Sequence, residues 1–191
     1  MIIWINGAFG GGKTTLAEEL HRRLPDAVPF DPEYVGYILS RWAPPADSGD
    51  FQDIPLWRKL VAEFAVGLAS DYGRPLIVPM TLVNPSYRDE IFSAISKAGH
   101  PLLHVFLDVP AAELRRRIET QVLAPDNPEA DANSRRFRLA NLDRCVAASA
   151  ELPADTLVLK GDQHSPAELA GQVLDALSLD RPARTRSASA Q

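Results

Sequence analysis

One stretch near the start of the chain has the residue types and spacing of a phosphate-binding loop. Gly7 is followed, after four residues, by Gly12, Lys13 and Thr14, which matches the pattern G-x-x-x-x-G-K-[ST]. Glycines allow several backbone N–H groups to point inward together and surround phosphate oxygens. The lysine adds a mobile positive charge for the β- and γ-phosphates, and the threonine hydroxyl can bind Mg²⁺. The motif therefore predicts binding of a nucleoside triphosphate with Mg²⁺.

The sequence around the motif supports this prediction and favours ATP. An apolar strand precedes the loop and an amphipathic helix opens at Lys13, whose positive N-terminal end favours phosphate. The guanine-reading pattern Asn/Thr-Lys-x-Asp is missing after the late strands, and the loop from Lys160 to His164 lies where P-loop kinases hold adenine. Thr14 is the predicted Mg²⁺ ligand. The residues predicted to bind ATP are Gly7, Ala8, Phe9, Gly10, Gly11, Gly12, Lys13, Thr14, Thr15 and Lys160.

An acidic residue and two groups of arginines suit phosphoryl transfer. Asp31 follows the second apolar strand, and the carboxyl ends of parallel strands form the ligand crevice of such sheets. Asp31 would accept a proton from a substrate hydroxyl or hold Mg²⁺ through water; alternatively, it only caps the next helix. Arginines at 115–117 and at 135, 136 and 138 flank an acidic segment, which is typical of a closing lid. The predicted catalytic residues are Lys13, Asp31, Arg117 and Arg136.

Short apolar runs alternate with amphipathic helical patterns along the chain. This order predicts an α/β fold: a three-layer α/β/α P-loop NTPase domain with a five-stranded parallel sheet. The second strand, which Asp31 follows, is expected beside the P-loop strand. The predicted strands are 2–6, 27–30, 75–80, 102–107 and 156–159. The predicted helices are 13–24, 33–42, 55–72, 86–98, 110–122, 133–150 and 165–177. We expect one domain over 1–179, a lid at about 118–138 and a disordered polar tail at 180–191.

Composition narrows the classes of function. The net charge of -5 leaves no basic surplus for binding nucleic acid. The single cysteine, Cys145, cannot form an internal disulfide and is interpreted as a small buried side chain in a reducing compartment. No apolar run approaches the roughly 18 residues of a membrane helix, and the N-terminus lacks the pattern of a signal peptide. A cytoplasmic location and no integral membrane segment are expected.

The chain resembles bacterial tunicamycin-resistance ATP-binding proteins over about residues 1–178. The segments 1–14, 50–58, 76–81 and 143–146 carry the resemblance, with the strings PLWR and LIVPMT as unusual elements. It implies a nucleoside-monophosphate-kinase-like fold, ATP binding and resistance to tunicamycin, a uridine-containing, lipid-linked nucleoside antibiotic. Trp57 could stack on a base or sugar ring of the substrate, or could be a core residue. The substrate crevice would be lined by Asp31, Phe51, Gln52, Trp57, Arg58, Pro79, Met80 and Thr81.

Three functions fit these residues. The first is an ATP-dependent kinase that phosphorylates and so inactivates the antibiotic. The second is ATP-dependent binding that sequesters the antibiotic without chemistry. The third is a nucleotide or sugar kinase of central metabolism. Asp31 and the arginine-rich lid favour chemistry, whereas the lack of an acidic residue at the end of the third strand favours binding alone.

Overall fold

A five-stranded parallel sheet forms the centre of the protein. The computed structural model describes residues 1–179, and its sheet has the strand order β2-β3-β1-β4-β5 with every pairing parallel. The predicted α/β fold is confirmed; the predicted tail at 180–191 lies outside the described residues. The strands are β1 (Ile2–Gly7), β2 (Val28–Pro29), β3 (Leu76–Pro79), β4 (Leu102–Asp108) and β5 (Leu157–Lys160).

The position of β2 differs from the sequence prediction. β2 is an edge strand, and β3 lies between it and β1, so the expectation that β2 pairs with β1 is wrong. Composition explains the order. Leu76, Ile77 and Val78 are all fully buried, as a central parallel strand requires, whereas β2 has two residues and ends in Pro29, which suits an edge.

Helices cover both faces of the sheet. Ile2 and Trp4 of β1 point to one face and Ile3 and Ile5 to the other, because side chains alternate along a strand. The helices packed on the first face are α2 (Glu33–Leu39), α3 (Pro55–Tyr72) and α4 (Pro85–Lys97), and those on the second are α1 (Lys13–Arg23) and α8 (Pro166–Leu179). Within residues 1–179, no helix is both long and apolar enough to cross a lipid bilayer.

Three further helices lie near the carboxyl end of the sheet. They are α5 (Ala111–Thr120), α6 (Pro128–Ala140) and α7 (Leu142–Ala147). The acidic segment predicted as a loop over 124–132 is helical from Pro128, because proline suits the first helical turn and the Asn127 side chain accepts a hydrogen bond from the Ala130 N–H (3.0 Å). The single helix predicted over 133–150 divides at Asn141 into α6 and α7.

A buried polar network ties the end of β1 to the loop after β3. The Asn6 side-chain oxygen accepts from the N–H groups of Gly7 (2.8 Å) and Leu82 (2.8 Å), and its amide donates to the Leu82 carbonyl (2.7 Å). The same amide lies 3.2 Å from Nε2 of His104, which must therefore accept. Nδ1 of His104 then carries the proton and donates to the Thr156 hydroxyl (2.9 Å).

This network holds His104 neutral. Burial, together with the nearby Arg88 charge, lowers the pKa of His104 to about 4 against a weaker opposing effect of Asp155. Protonation of Nε2 would also place an N–H group against the Asn6 amide. The folded protein therefore takes up the proton only near pH 4, whereas the unfolded chain takes it up near pH 6.5.

We predict that the free energy of unfolding decreases by about 2 kcal/mol between pH 7 and pH 5 through His104 alone, because the unfolded state binds the proton in this window and the folded state does not. His104→Gln should remove that part of the slope, and His164→Gln, at an exposed histidine, should retain it. Urea unfolding at several pH values measures both. An unchanged slope in His104→Gln would show that His104 is not held neutral.

Candidate active site

The predicted phosphate-binding loop connects β1 to α1 and leaves space above its backbone. Gly12, which precedes α1, has φ +96°, in the left-handed region that favours glycine. A Cβ added at Gly12 would meet no atom within 4 Å, so the loop is open on this side. A Cβ at Gly11 would lie 2.9 Å from the Ala8 carbonyl oxygen, which shows how tightly the loop curls.

Lys13 lies over this loop. Its ammonium group donates to the carbonyls of Gly7 (3.1 Å) and Ala8 (2.9 Å), and among the described residues it forms no ion pair. Burial lowers the pKa of Lys13 to about 8, although the charges of Glu33 and Asp31 oppose this shift. A desolvated cation beside inward-facing backbone suits a polyphosphate, so these residues fit the predicted nucleotide.

One cavity of about 890 Å³ joins this loop to most of the other predicted site residues. Its walls are the phosphate-binding loop, the start of α2, the 49–52 loop, the end of β3, and the ends of α5 and α6 that face each other. The predicted residues that line it are Phe9, Gly10, Gly12, Lys13, Thr14, Thr15, Asp31, Phe51, Gln52, Pro79, Met80, Thr81 and Arg117.

Asp31 lines the cavity and also caps α2. Its Oδ1 accepts a hydrogen bond from the Glu33 N–H (2.9 Å), as the capping interpretation expects. Burial raises the pKa of Asp31, while this hydrogen bond and the Lys13 charge act in the opposite direction. A half-buried carboxylate whose pKa is raised, facing a phosphate-binding lysine, is well suited to accept a proton from an acceptor hydroxyl.

Trp57 and Arg58 lie behind the cavity wall, contrary to the expectation that they line it. Trp57 is 0% exposed, packs on Phe51 with ring centroids 5.2 Å apart, and donates from Nε1 to the Pro32 carbonyl (3.2 Å). It is a core residue, because it lies on the face of α3 that packs against the sheet. Trp57 therefore cannot stack on a ligand.

Arg58 supports the cavity wall through Gln52. It donates to the Gln52 carbonyl (2.6 Å), pairs with Glu90 (2.6 Å) and lies over the Tyr87 ring (4.2 Å). The buried Gln52 side chain donates in turn to the Thr81 carbonyl (2.9 Å), which joins the 49–52 loop to the end of β3. Arg58 therefore positions residues that line the cavity without reaching it.

The arginines divide into residues that line the cavity and residues that do not. Arg117 lines it and donates to the carbonyls of Gly10 (3.3 Å) and Gly161 (3.4 Å), which ties α5 to the phosphate-binding loop. Arg136 is exposed, bonds to Asn133, and is not brought to the cavity. Arg138 is buried and lines it instead, with one hydrogen bond to Gln121 Oε1 (2.8 Å).

Sequence reasoning missed Arg138, although a signal was available. Asp131 and Arg138 are seven residues apart, which places them on one face of a helix, and both are buried. Recognising that α6 begins at Pro128 would have made this face visible. Burial lowers the pKa of the Arg138 guanidinium, and the charges of Asp131 and Glu33 oppose this shift. A desolvated guanidinium with several donors is suited to phosphate oxygens.

Lys160 and Thr14 complete the predicted set. Lys160 is exposed and pairs with Asp108 (2.6 Å) where β4 and β5 end, and it is not among the cavity residues. Thr14 is exposed and lines the cavity, so its hydroxyl is available to a cation. Within the described residues no group of three His, Cys, Asp or Glu side chains could hold a metal, so Mg²⁺ would depend on Thr14, phosphate oxygens and water.

Comparison with known proteins places the chain in a family. A family model described as an AAA domain (AAA_33) matches residues 2–142. The chain belongs to this AAA domain family. The match covers the phosphate-binding loop, Asp31 and the whole cavity wall as far as α6. No significant match is found among curated proteins.

Solved structures similar to this AAA domain confirm a P-loop kinase-like fold and the resemblance noted in the sequence. The tunicamycin resistance protein of Deinococcus radiodurans is 24% identical, with TM-score 0.66 and coverage of 93% of this chain and 95% of that chain. The APS kinase of Mycobacterium tuberculosis, in complex with AMPPNP and APS, is 20% identical, with TM-score 0.62 and coverage of 93% and 96%. A Janibacter sugar kinase is 21% identical, with TM-score 0.65 and coverage of 94% and 95%.

We predict that Lys13→Ala weakens ATP binding at least about tenfold without unfolding the protein, because it removes the cation at the phosphate-binding loop. Lys59→Ala removes an exposed lysine on α3 and serves as the matched control. Calorimetric titration with ATP and Mg²⁺ measures the affinities. Equal ATP affinity in wild type and Lys13→Ala would contradict the assignment of the loop.

The two lid arginines should behave differently. We predict that Arg138→Ala lowers turnover at least about tenfold, because a desolvated donor at the cavity is lost, whereas Arg136→Ala stays within about twofold of wild type. Steady-state ATP consumption in the presence of the acceptor, with melting temperatures as a folding control, compares them. A larger loss in Arg136→Ala than in Arg138→Ala would reverse the assignment.

Proposed function

We propose that this chain is an ATP-dependent phosphotransferase that confers resistance to tunicamycin by phosphorylating a hydroxyl of the antibiotic. The observation that carries the proposal is the single cavity in which Lys13 and Thr14 lie together with the half-buried carboxylate of Asp31. A protein that only binds its ligand has no need of a proton acceptor at the phosphate-binding loop. Uridine-containing antibiotics are the proposed acceptor class because of the resemblance in sequence and fold described above.

Each cavity residue has a role in this reaction. ATP with Mg²⁺ supplies the phosphoryl group when bound. The loop backbone and Lys13 bind the phosphates, Thr14 binds the cation, and Arg117 and Arg138 neutralise charge on the phosphoryl oxygens. Asp31 accepts the proton that the acceptor hydroxyl loses as its oxygen bonds to the γ-phosphorus, while the bond from that phosphorus to the β–γ bridging oxygen breaks and ADP leaves.

The opposite wall would hold the acceptor. Phe51, Gln52, Pro79, Met80 and Thr81 line the cavity on the side of β3, away from α5. The hydrogen bonds from Gln52 and Arg58 fix this wall, so that the acceptor hydroxyl would meet a rigid surface. The segment 118–138 lines the other side, where its closure would exclude water from the phosphoryl group.

A second function is favoured by one observation. β3 ends at Pro79 and is followed by Met80 and Thr81, and none of these supplies the carboxylate with which many P-loop enzymes organise Mg²⁺. ATP-dependent binding that sequesters the antibiotic would need no such group. A kinase acting on a sugar or nucleotide is the third candidate, favoured by the fold shared with a sugar kinase.

A single incubation separates these functions. The purified protein is mixed with ATP, Mg²⁺ and tunicamycin, and the mass of the antibiotic is read after separation from the protein. A gain of one phosphate that is absent with Lys13→Ala supports the kinase. Antibiotic of unchanged mass that co-elutes with the protein only when ATP is present supports sequestration. If the antibiotic is neither bound nor modified, sugars and nucleotides become the acceptors to test.

We predict that Asp31→Asn retains the melting temperature and ATP affinity but lowers phosphate transfer about 10²–10⁴-fold. Asparagine keeps the size and the capping hydrogen bond to Glu33, and it caps helices about as well as aspartate, but it cannot accept the proton. Asp47→Asn, at an exposed loop position, is the matched control. Full transfer by Asp31→Asn would reduce Asp31 to a helix cap.

A further inference from the structure

The outer face of α2 carries large apolar side chains where a surface helix normally carries polar ones. Val35 and Leu39 are buried against the sheet, yet Tyr34, Ile38 and Trp42 on the outside are 65%, 50% and 77% exposed. α2 is followed by a turn in which the Trp42 N–H donates to the Leu39 carbonyl (3.0 Å), so Trp42 lies directly beyond the end of the helix. With Tyr37, 56% exposed, these residues are called the α2 strip: Tyr34, Tyr37, Ile38 and Trp42.

The α2 strip is continuous with the candidate active site. Tyr37 belongs to the strip and also lines the cavity, where its hydroxyl donates to Glu33 Oε2 (3.1 Å). Its ring lies 5.9 Å from the Tyr34 ring, centroid to centroid. From Tyr34 to Trp42 the strip is about 12 Å long, at 1.5 Å per helical residue. Tyr37 and Tyr34 therefore connect the cavity to the outer face of the helix.

Polarity changes along this path. Asp31 and Glu33 lie at the cavity end, whereas the α2 strip beyond them is aromatic and aliphatic. Arg41, the residue before Trp42, is a charged residue at the far end of the strip. A ligand that follows it needs a polar group in the cavity and an apolar part outside. The strip is also narrow: four side chains on a two-turn helix cannot supply the roughly 800 Å² that a protein partner buries on each side.

We infer that the α2 strip binds the apolar chain of an amphipathic acceptor whose polar group occupies the cavity. This inference rests on the proposed function, because the ligand is the acceptor of the proposed phosphoryl transfer. It adds the residues that would select an acceptor carrying a lipid chain. Apolar area covered on the strip adds to affinity, whereas the polar group alone determines where the phosphoryl group is transferred.

The test compares tunicamycin with the same molecule from which the lipid chain has been removed. Both are titrated in the presence of AMPPNP and Mg²⁺ into wild type and into the double variant Tyr34→Ser/Trp42→Ser. We expect wild type to bind the intact antibiotic at least about tenfold more tightly than the shortened one, and the double variant to lose this preference with its affinity for the shortened molecule unchanged. Tyr72→Ser, at an exposed aromatic at the far end of α3, should retain the preference.

Tryptophan fluorescence gives a second measurement that does not depend on turnover. Trp4 and Trp57 are 0% exposed and Trp42 is 77% exposed. Quenching of tryptophan fluorescence by acrylamide in the wild-type protein therefore reports on Trp42. Intact antibiotic should protect Trp42 from quenching, and the shortened molecule should not. Binding and protection without transfer of phosphate would keep this inference while the kinase proposal fails.

Three outcomes would overturn the inference. The first is equal affinity of wild type for intact and shortened antibiotic. The second is protection of Trp42 by phosphatidylglycerol vesicles alone, which would assign the strip to a membrane surface. The third is protection that rises with protein concentration without any ligand, which would assign it to a second copy of the chain.

Discussion

The hydrogen bonds of one buried side chain connect the two halves of the candidate site. Asn6, the residue before the end of β1, bonds both to Gly7 at the start of the phosphate-binding loop and to Leu82, three residues past the end of β3. The phosphates and the acceptor would lie on opposite sides of this junction. Because the amide satisfies three backbone groups away from water, any shift between β1 and β3 would leave polar groups unpaired, at about 1–3 kcal/mol each. The distance between the phosphate-binding loop and the loop after β3 is therefore fixed by the core.

Charge in the cavity is arranged around desolvated cations. Burial lowers the pKa values of Lys13 and Arg138. The charge of Glu33 opposes both shifts, that of Asp31 opposes the shift of Lys13 and that of Asp131 the shift of Arg138, and in the described part of the chain none of these acids forms an ion pair with either cation. Such cations are held in an unfavourable environment by the fold around them. An anionic ligand would replace the lost hydration, so the cavity suits a polyphosphate although the whole chain is acidic.

The sequence predicted the parts of the site that depend on local pattern. The glycine spacing, the strand before it and the helix after it located the phosphate-binding loop, and Asp31 was placed at the cavity by its position after a strand. What the sequence did not predict depends on packing between distant segments. β2 lies at the edge because β3 is the more apolar strand, and Trp57 is core because α3 turns that face inward. Arg138 and not Arg136 lies at the cavity because Arg138 is on the face of α6 that packs inward, whereas Arg136 is on the exposed face. Asn6 has no motif at all, since its partners lie 76 residues away in the chain.

The position of β1 in the sheet has a consequence for synthesis of the protein. β1 leaves the ribosome before both of the strands it pairs with, β3, beginning at Leu76, and β4, beginning at Leu102. Its apolar residues therefore remain without their neighbouring strands until the chain has been made beyond Leu102. Contacts between segments so far apart form slowly, because the intervening chain must first be ordered. The nascent chain thus exposes the apolar residues of β1 before their partner strands exist, and this interval is when chaperones would contribute most to its yield.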